Sequence, residues 1–389
     1  MWLDELRPLT LGPHGADWRQ NDAAFRPFGI HRIRTERGLV AVRTHVEATL
    51  PFGQLRIFTR TGAPVQRRIL VVAPLAGGYP FLLRDLVVAL LGVAQEVGIT
   101  EWPNARHVPL DAGPFDFDAN CIETTQMIRA MAARAPAEAA LHVVGVCQGA
   151  VPALAGASIL AEMDAAPLSL TLMGGPIDSS RNPTRLWRLL QNRAIESLEK
   201  KVVETVPPRF AGSGRQVFPG WRQTDTFAFY LWRQAMSGGR LPFQLAFDDG
   251  DDPWRYPLAR LCWTLMDVPA EFFTSNVEIL FRANALAQGR LEIAGHWVRP
   301  QFLRHTALLT VEGTEDDISG PSQTEAAHGL CPNIPRTLHQ HLLVQGAGHF
   351  ALFYGHAMRQ TILPAIVTAM IAGEGQGRPQ MEAGSVNVG

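Results

Sequence analysis

Apolar and polar positions alternate cleanly in only one long stretch near the start of the chain. Residues 39–48 read LVAVRTHVEA, and residues 54–59 repeat the alternation after Pro51, Phe52 and Gly53. Period-two alternation broken by turn residues predicts an antiparallel strand pair with one solvated face. Further on the pattern changes: Ile69–Ala73 is wholly apolar, and 141–146 and 168–173 are nearly so. Such short apolar runs suit strands buried on both faces, as in a parallel sheet. A strand near 97–100 joins them. Between these runs, FLLRDLVVALL at 81–91 reads as helix, as does a segment from Phe117 or Asp118 to about Ala135, just before Pro136. The strand pattern resumes at 305–311, HTALLTV, and at 341–345, HLLVQ, and a last helix starts at about Ala357. Strands alternating with helices predict an α/β fold with a mostly parallel, doubly wound sheet. No internal repeat interrupts it.

Between about 184 and 300 the text is different. It is crowded with aromatics, among them Trp187, Phe218, Trp221, Phe227, Phe229, Tyr230, Trp232, Trp254, Tyr256, Trp263, Phe272 and Phe273. The stretch reads mainly helical, with loops at Pro207–Pro208, 212–214, 238–239 and 248–253. Most of these rings fit a subdomain core, and the remainder could line an apolar cleft beneath a cap. The organisation is therefore an N-terminal segment 1–37, a first core part 38–183, a cap 184–300, a second core part 301–372 and a polar, Gly-rich disordered tail 373–389.

Composition narrows the partners. A chain of 389 residues with 47% hydrophobic content can bury a large core, and a net charge of −1 offers no basic footprint for nucleic acid. The first residues lack the basic region and apolar core of a signal peptide, and the apolar stretch 82–93 is short and contains Arg84 and Asp85. A cytoplasmic protein without a membrane span is expected. The four cysteines, Cys121, Cys147, Cys262 and Cys331, are too scattered for a disulfide framework or a zinc site. Neither metal nor cofactor is expected.

One cysteine stands apart. In LHVVGVCQGAVPAL, Leu141–Leu154, a β-branched run breaks at Gly145, and Cys147 lies between it and Gly149. This is the spacing of a nucleophile elbow, a strained strand-to-helix turn that raises its central side chain above the sheet, here with sulfur for oxygen. A Cβ at either glycine would clash, and the helix start aims N–H groups at the sulfur. A buried structural cysteine between chance glycines is the plainer alternative. Two later strands end where such a fold keeps its acid and its histidine. His349 follows HLLVQ in GAGHFALFYG; Glu312, Glu315, Asp316 and Asp317 crowd the loop after HTALLTV; Asp178 is a further candidate acid.

These residues carry a resemblance. VVAPLAGGYPFLLRD, EWPNARHVPLDAGPFDFD, VCQGAVP, LTLMGGPIDSSRNPT, VFPGW, LLTVEGTEDDISGPSQTEAAHGLCPNIP and GAGHFALFYG occur in order, over roughly 38–365. The chain resembles the intracellular polyhydroxybutyrate depolymerases, α/β-hydrolases with a cysteine nucleophile in a lipase-like box, related to the polyhydroxyalkanoate synthases. The resemblance implies Cys147 as nucleophile and His349 as base. It selects Asp316, since the family's aspartate stands two residues before an isoleucine, here Ile318. The chain departs from the pattern at Gly149, where the family's box has proline, and in its shorter N-terminal region.

The implied chemistry is attack of the Cys147 thiolate on a polymer ester, with the oxyanion held by the backbone N–H of Gln148 and of Leu75 or Ala76. Phe218, Trp221 and Tyr79 are candidates for the walls of an apolar cleft. The expected partner is polyhydroxybutyrate, as polymer or granule surface, with water or coenzyme A as acyl acceptor. A synthase-like acyltransferase and a non-catalytic granule-binding protein are the alternatives.

Overall fold

The computed structural model describes residues 9–11, 28–36, 38–75, 80–191, 195–223 and 265–377. Strand β1 (Thr10–Leu11) pairs with β3 (Gly38–Thr49), as does β2 (Arg32–Thr35), and β3 pairs with β4 (Gln54–Arg60), all antiparallel. The alternating segments thus form the expected hairpin. Two strands also come from the supposed N-terminal segment 1–37, which is therefore partly built into the sheet. Two and four residues are too few to display a period of their own.

The buried runs follow as β5 (Arg67–Val72), β6 (Glu96–Glu101), β7 (Ala140–Val146) and β8 (Ser169–Met173), linked by helices α1 (Arg84–Val93), α2 (Phe117–Ala132) and α3 (Ala150–Ala161). The cap contributes α4 (Arg185–Gln191), α5 (Ile195–Val202), β9 (Glu204–Thr205), β10 (Gln216–Phe218), β11 (Val268–Pro269), α6 (Ala270–Asn276), β12 (Glu292–Ile293) and β13 (His296–Trp297). The core then resumes with β14 (Ala307–Gly313), β15 (His339–Val344) and α7 (Leu363–Gly377). Among the described residues the main sheet runs β1-β3-β4-β6-β5-β7-β8-β14-β15, with β2 beside β3. Every pairing from β6 to β15 is parallel.

Successive side chains on a strand point to opposite faces, so each parallel strand feeds two cores. Ile69, Val71, Val144, Val146, Leu309 and Val311 pack with Leu86 and Leu90 of α1 and Ile366 and Met370 of α7. Leu70, Val72, Val143, Leu170, Leu172 and Leu308 pack on the other face with α2 and α3. Helix α3 is buried all round, between the sheet and α2. Its small residues permit the approach: a Cβ on Gly156 would come within 3.0 Å of Ile128 and Thr125. No described helix is long and apolar enough to cross a membrane.

Three boundaries differ from the sequence reading. Helix α2 stops at Ala132 rather than about Ala135, since a proline at 136 disfavours helical geometry just before it. The described part of the cap is not purely helical: β11-β10-β9 form a small sheet and β12-β13 a hairpin. Helix α7 carries on to Gly377, through the start of the supposed tail, because Gly373 lets the helix pass Leu168 where a Cβ would lie 2.1 Å from its carbonyl oxygen. Residues 378–389 lie outside the described residues, as do 224–264, which hold most of the cap's expected aromatics.

The cap is fastened to the core by charge. Buried Arg215 donates to the carbonyls of Val108, Pro109 and Gly113 at 3.2, 2.6 and 3.0 Å. Arg106 grips Asp267 with two bonds of 2.9 and 2.6 Å, and Asp267 also accepts the N–H of Gly220 at 2.9 Å.

Candidate active site

Parallel strands deliver their next residues to one edge of the sheet, and ligand and catalytic groups gather there. Strand β7 ends at Val146, and the chain turns through Cys147–Gly149 into α3. Cys147 has φ of +53°, a left-handed conformation that a non-glycine residue adopts only when its surroundings demand it. The flanking glycines show that demand. A Cβ on Gly145 would meet Ala150 and Ala153 at 2.7 Å, and one on Gly149 would lie 2.5 Å from the carbonyl oxygen of Val72. Any residue with a Cβ, proline included, would clash at 149 on this backbone.

His349, in the turn after β15, completes the approach from the other side. Its Nε2 lies 3.1 Å from Cys147 Sγ, and its Nδ1 lies 2.7 Å from Asp316 Oδ2. The other oxygen of Asp316 accepts the N–H groups of Ile318 and Ser319 at 2.9 and 2.8 Å. That turn fixes the carboxylate without any cation. Gly174, at φ +55°, ends β8 beneath the pair: a Cβ there would come within 3.3 Å of the imidazole and 3.4 Å of Asp316. The rings of Phe350 and Phe353 meet the imidazole edge-on at 5.4 and 5.0 Å.

The electrostatics follow from this enclosure. Burial alone would push the His349 pKa down, but Asp316 and Cys147 on its two sides outweigh it and hold the imidazolium well above its usual range. A partly exposed sulfur beside a readily protonated imidazole is the arrangement of an activated thiol. The other described cysteines are not. Cys121 and Cys331 are buried, and burial pushes Cys331 up to about 12 and holds Cys121 well above the usual thiol range.

Of the competing acids, Asp178 is held by Ser180, Arg181 and Asn284. Glu312 accepts three backbone N–H groups from Ser322, Thr324 and Glu325. Asp317 is partly exposed, and Glu315 is exposed. Only Asp316 reaches His349.

The second half of an oxyanion hole depends on the loop after β5. Ala73 N–H donates to Thr100 at 2.9 Å, Pro74 has none, and Leu75 N–H donates to the side-chain oxygen of Gln148 at 3.2 Å. Ala76 and Tyr79 lie outside the described residues. The Gln148 amide nitrogen also donates to Asn120 at 3.3 Å, so one side chain ties the elbow to the loop and to α2. Sequence reasoning counted only the backbone of Gln148. A buried glutamine beside a nucleophile carries no periodic signal that would announce its side chain.

The cleft candidates are positioned by the cap itself. Phe218 packs at a tilt against Phe273, with ring centroids 4.7 Å apart. Trp221 is 51% exposed, its indole N–H donates to Glu204 at 3.3 Å, and Arg222 covers its ring at 4.4 Å.

A family model described as PHB de-polymerase C-terminus matches residues 174–373 of this chain. The match begins just past β8 and includes Asp316 and His349. No curated protein matches the sequence. Among solved structures, a monoglyceride lipase variant from Saccharomyces cerevisiae is similar with a TM-score of 0.51 at 12% identity, over 82% of this chain and 92% of that one. A hypothetical protein from Pseudomonas aeruginosa is similar with a TM-score of 0.50 at 12% identity, over 92% of this chain and 98% of that one. These likenesses identify the fold as that of the α/β-hydrolases.

Proposed function

The chain belongs to the PHB de-polymerase C-terminus family, and from that premise we propose that it hydrolyses ester bonds of polyhydroxybutyrate through Cys147, His349 and Asp316. The observation that carries the reading is the unbroken line from Asp316 through both ring nitrogens of His349 to the sulfur. The thiolate of Cys147 attacks the ester carbonyl carbon, and the carbonyl oxygen takes up the negative charge. The N–H of Gln148, which has no intrahelical acceptor at the start of its helix, faces that oxygen. Leu75 N–H is engaged by Gln148, and the other expected donor, Ala76, lies outside the described residues.

As the carbon–oxygen bond breaks, the His349 imidazolium gives its proton to the departing alkoxide, leaving a 3-hydroxyacyl thioester on Cys147. His349 then takes a proton from water, the hydroxide attacks the thioester, and the free acid and thiolate are released. Asp316 keeps Nδ1 protonated throughout and offsets the imidazolium charge. An uncharged, moderately apolar polyester suits a site whose charged groups are committed to one another, and a granule surface is its natural source.

The test is incubation with amorphous polyhydroxybutyrate granules, with and without coenzyme A, followed by product identification. Free 3-hydroxybutyrate monomer or oligomer supports hydrolysis. Acyl-coenzyme A would move the assignment to thiolysis. No release in either arm, with retained turnover of a small soluble ester, would remove the polymer as substrate and keep the triad.

A further inference from the structure

A second cluster of titratable groups stands on the same two strands as the acid and the histidine, away from the sulfur. Thr310 and Glu312 lie on one face of β14, and His341, the register partner of Thr310, lies on β15. Ligand atoms of Glu312, Glu325 and His341 all lie within 4.8 Å of one another. What decides their use is where the hydrogens are.

The chain of hydrogen bonds has a fixed starting point. His339 Nε2 is 3.1 Å from the carbonyl oxygen of Ile334, and a carbonyl only accepts, so that nitrogen carries the hydrogen. The 2.6 Å contact between His339 Nδ1 and His328 Nδ1 calls for a hydrogen on one of the two nitrogens. Thr310 Oγ lies 2.9 Å from His328 Nε2 and 2.8 Å from His341 Nδ1, where it can accept the hydrogen of His341. With its hydrogen on Nδ1, His341 presents a lone pair on Nε2.

That lone pair faces Glu312 Oε2 at 3.9 Å, too far for a hydrogen bond. Glu312 Oε1 already accepts from Thr324 and Glu325, whereas Oε2 accepts only from Ser322 and keeps one lone pair. Glu325 brings another carboxylate oxygen. Three electron-pair donors thus converge, an arrangement that a bound cation satisfies.

We propose that Glu312, Glu325 and His341 form a binding site for a divalent transition-metal ion, with zinc the best fit. One imidazole nitrogen and two carboxylate oxygens match zinc and disfavour calcium and magnesium, which take oxygen ligands. The remaining ring N–H of His341 is already held by Thr310, the outer support that metal-bound histidines ordinarily have. Glu312 and Glu325 bracket the loop that carries Asp316, so the ion pins this loop to β15. The site is separate from the triad and does not depend on the ester chemistry.

The experiment uses the full chain with Cys147→Ala, so that the triad cannot itself hold metal through its thiolate, after treatment with a chelator. Calorimetric titration with zinc chloride should show one equivalent bound and a rise in Tm, with no such response to magnesium. Glu325→Gln and His341→Gln should each weaken zinc binding at least 10-fold, within the range that ligand or supporting-shell changes give. Absence of saturable zinc binding, or binding undiminished in both variants while their Tm without metal is unchanged, would overturn the proposal.

Discussion

Among the described residues, two buried histidines at opposite ends of the parallel strands, His349 and His142, each contact a carboxylate, and His349 also contacts a cysteine sulfur. At the carboxyl end, His349 lies between Asp316 and the sulfur of Cys147. At the amino end, His142 Nδ1 contacts Ser169 Oγ at 2.9 Å and its Nε2 contacts Glu374 at 3.2 Å. On paper the second set is a serine, a histidine and a glutamate. The difference lies in the charges around it. Arg67 grips Glu374 with bonds of 2.6 and 2.8 Å and neutralises the carboxylate. Burial pushes the His142 pKa down, and Glu374, already committed to Arg67, does not restore it. Asp316 has no cation beside it among its hydrogen-bond partners, and its full charge goes to the imidazole.

The hydroxyl of Ser169 is also misplaced for catalysis. It lies within a strand and is buried, whereas Cys147 stands on a left-handed turn at a helix start. An open cleft of about 810 Å³ lies beside the amino-end cluster, lined by Arg67, Gln95, Glu138 and Glu374. The cleft thus borders the pair whose carboxylate Arg67 neutralises, and Cys147 is not among its lining residues.

Replacing Cys147 by Ala is the strongest way to break this contrast. Turnover of a soluble short-chain ester should fall by about 10⁴-fold or more with the fold intact by circular dichroism. Asp316→Asn should cost about 10⁴-fold in kcat through the wrong imidazole tautomer, while Glu374→Gln leaves kcat within about twofold; equal losses would erase the distinction between the pairs. Gln148→Ala should lower kcat roughly 10-fold at little change in KM, because the oxyanion loop loses its tie. A change confined to KM would assign that side chain to substrate binding instead.

The smaller effects concern stability. The Glu374 pKa is drawn down to about 2, by its bonds to His142 and Arg67 against the cost of burial, from an ordinary value of 4.5. A depressed carboxylate stabilises the fold above its unfolded pKa, and that contribution is lost as pH falls from about 4.5 toward about 2. The Tm difference between the native chain and Glu374→Gln should therefore be constant above about pH 5 and close below it. Ser169→Ala should leave ester turnover unchanged and cost about 1 kcal/mol in denaturant unfolding, the price of one buried hydrogen bond. Loss of turnover in this variant would mean that the amino-end cluster takes part in the chemistry.

Much of this contrast was legible before the structure. The apolar runs gave the parallel strands, and two glycines around Cys147 announced the turn, because steric exclusion at Gly145 and Gly149 is a local property that spacing records. His349 and the acidic loop followed from strand order. The choice of Asp316 among four neighbours came from the resemblance. Local sequence does not say which carboxylate the turn at Ile318 and Ser319 will aim inward. The Gln148 tie and the Thr310 to His341 relay were not legible, since each joins distant residues through side-chain geometry alone. The two-residue strands of the cap lay below the length at which any period can be seen. Helix α7 outran its expected end because the reason for Gly373, close passage over Leu168, is a tertiary one.

The pair between Arg67 and Glu374 spans 307 positions of sequence. A ribosome adding about 5–20 residues per second needs roughly 15–60 s to travel that distance. During this interval Arg67 is at the sheet's lower rim without its carboxylate, and His142, once made, has Ser169 for company before it has Glu374. The emerging chain can assemble β5, β7 and β8 around their apolar side chains, but the lower rim is closed only by residues translated last among those that touch it. Vectorial synthesis thus completes the amino-end cluster only after His349 has been made.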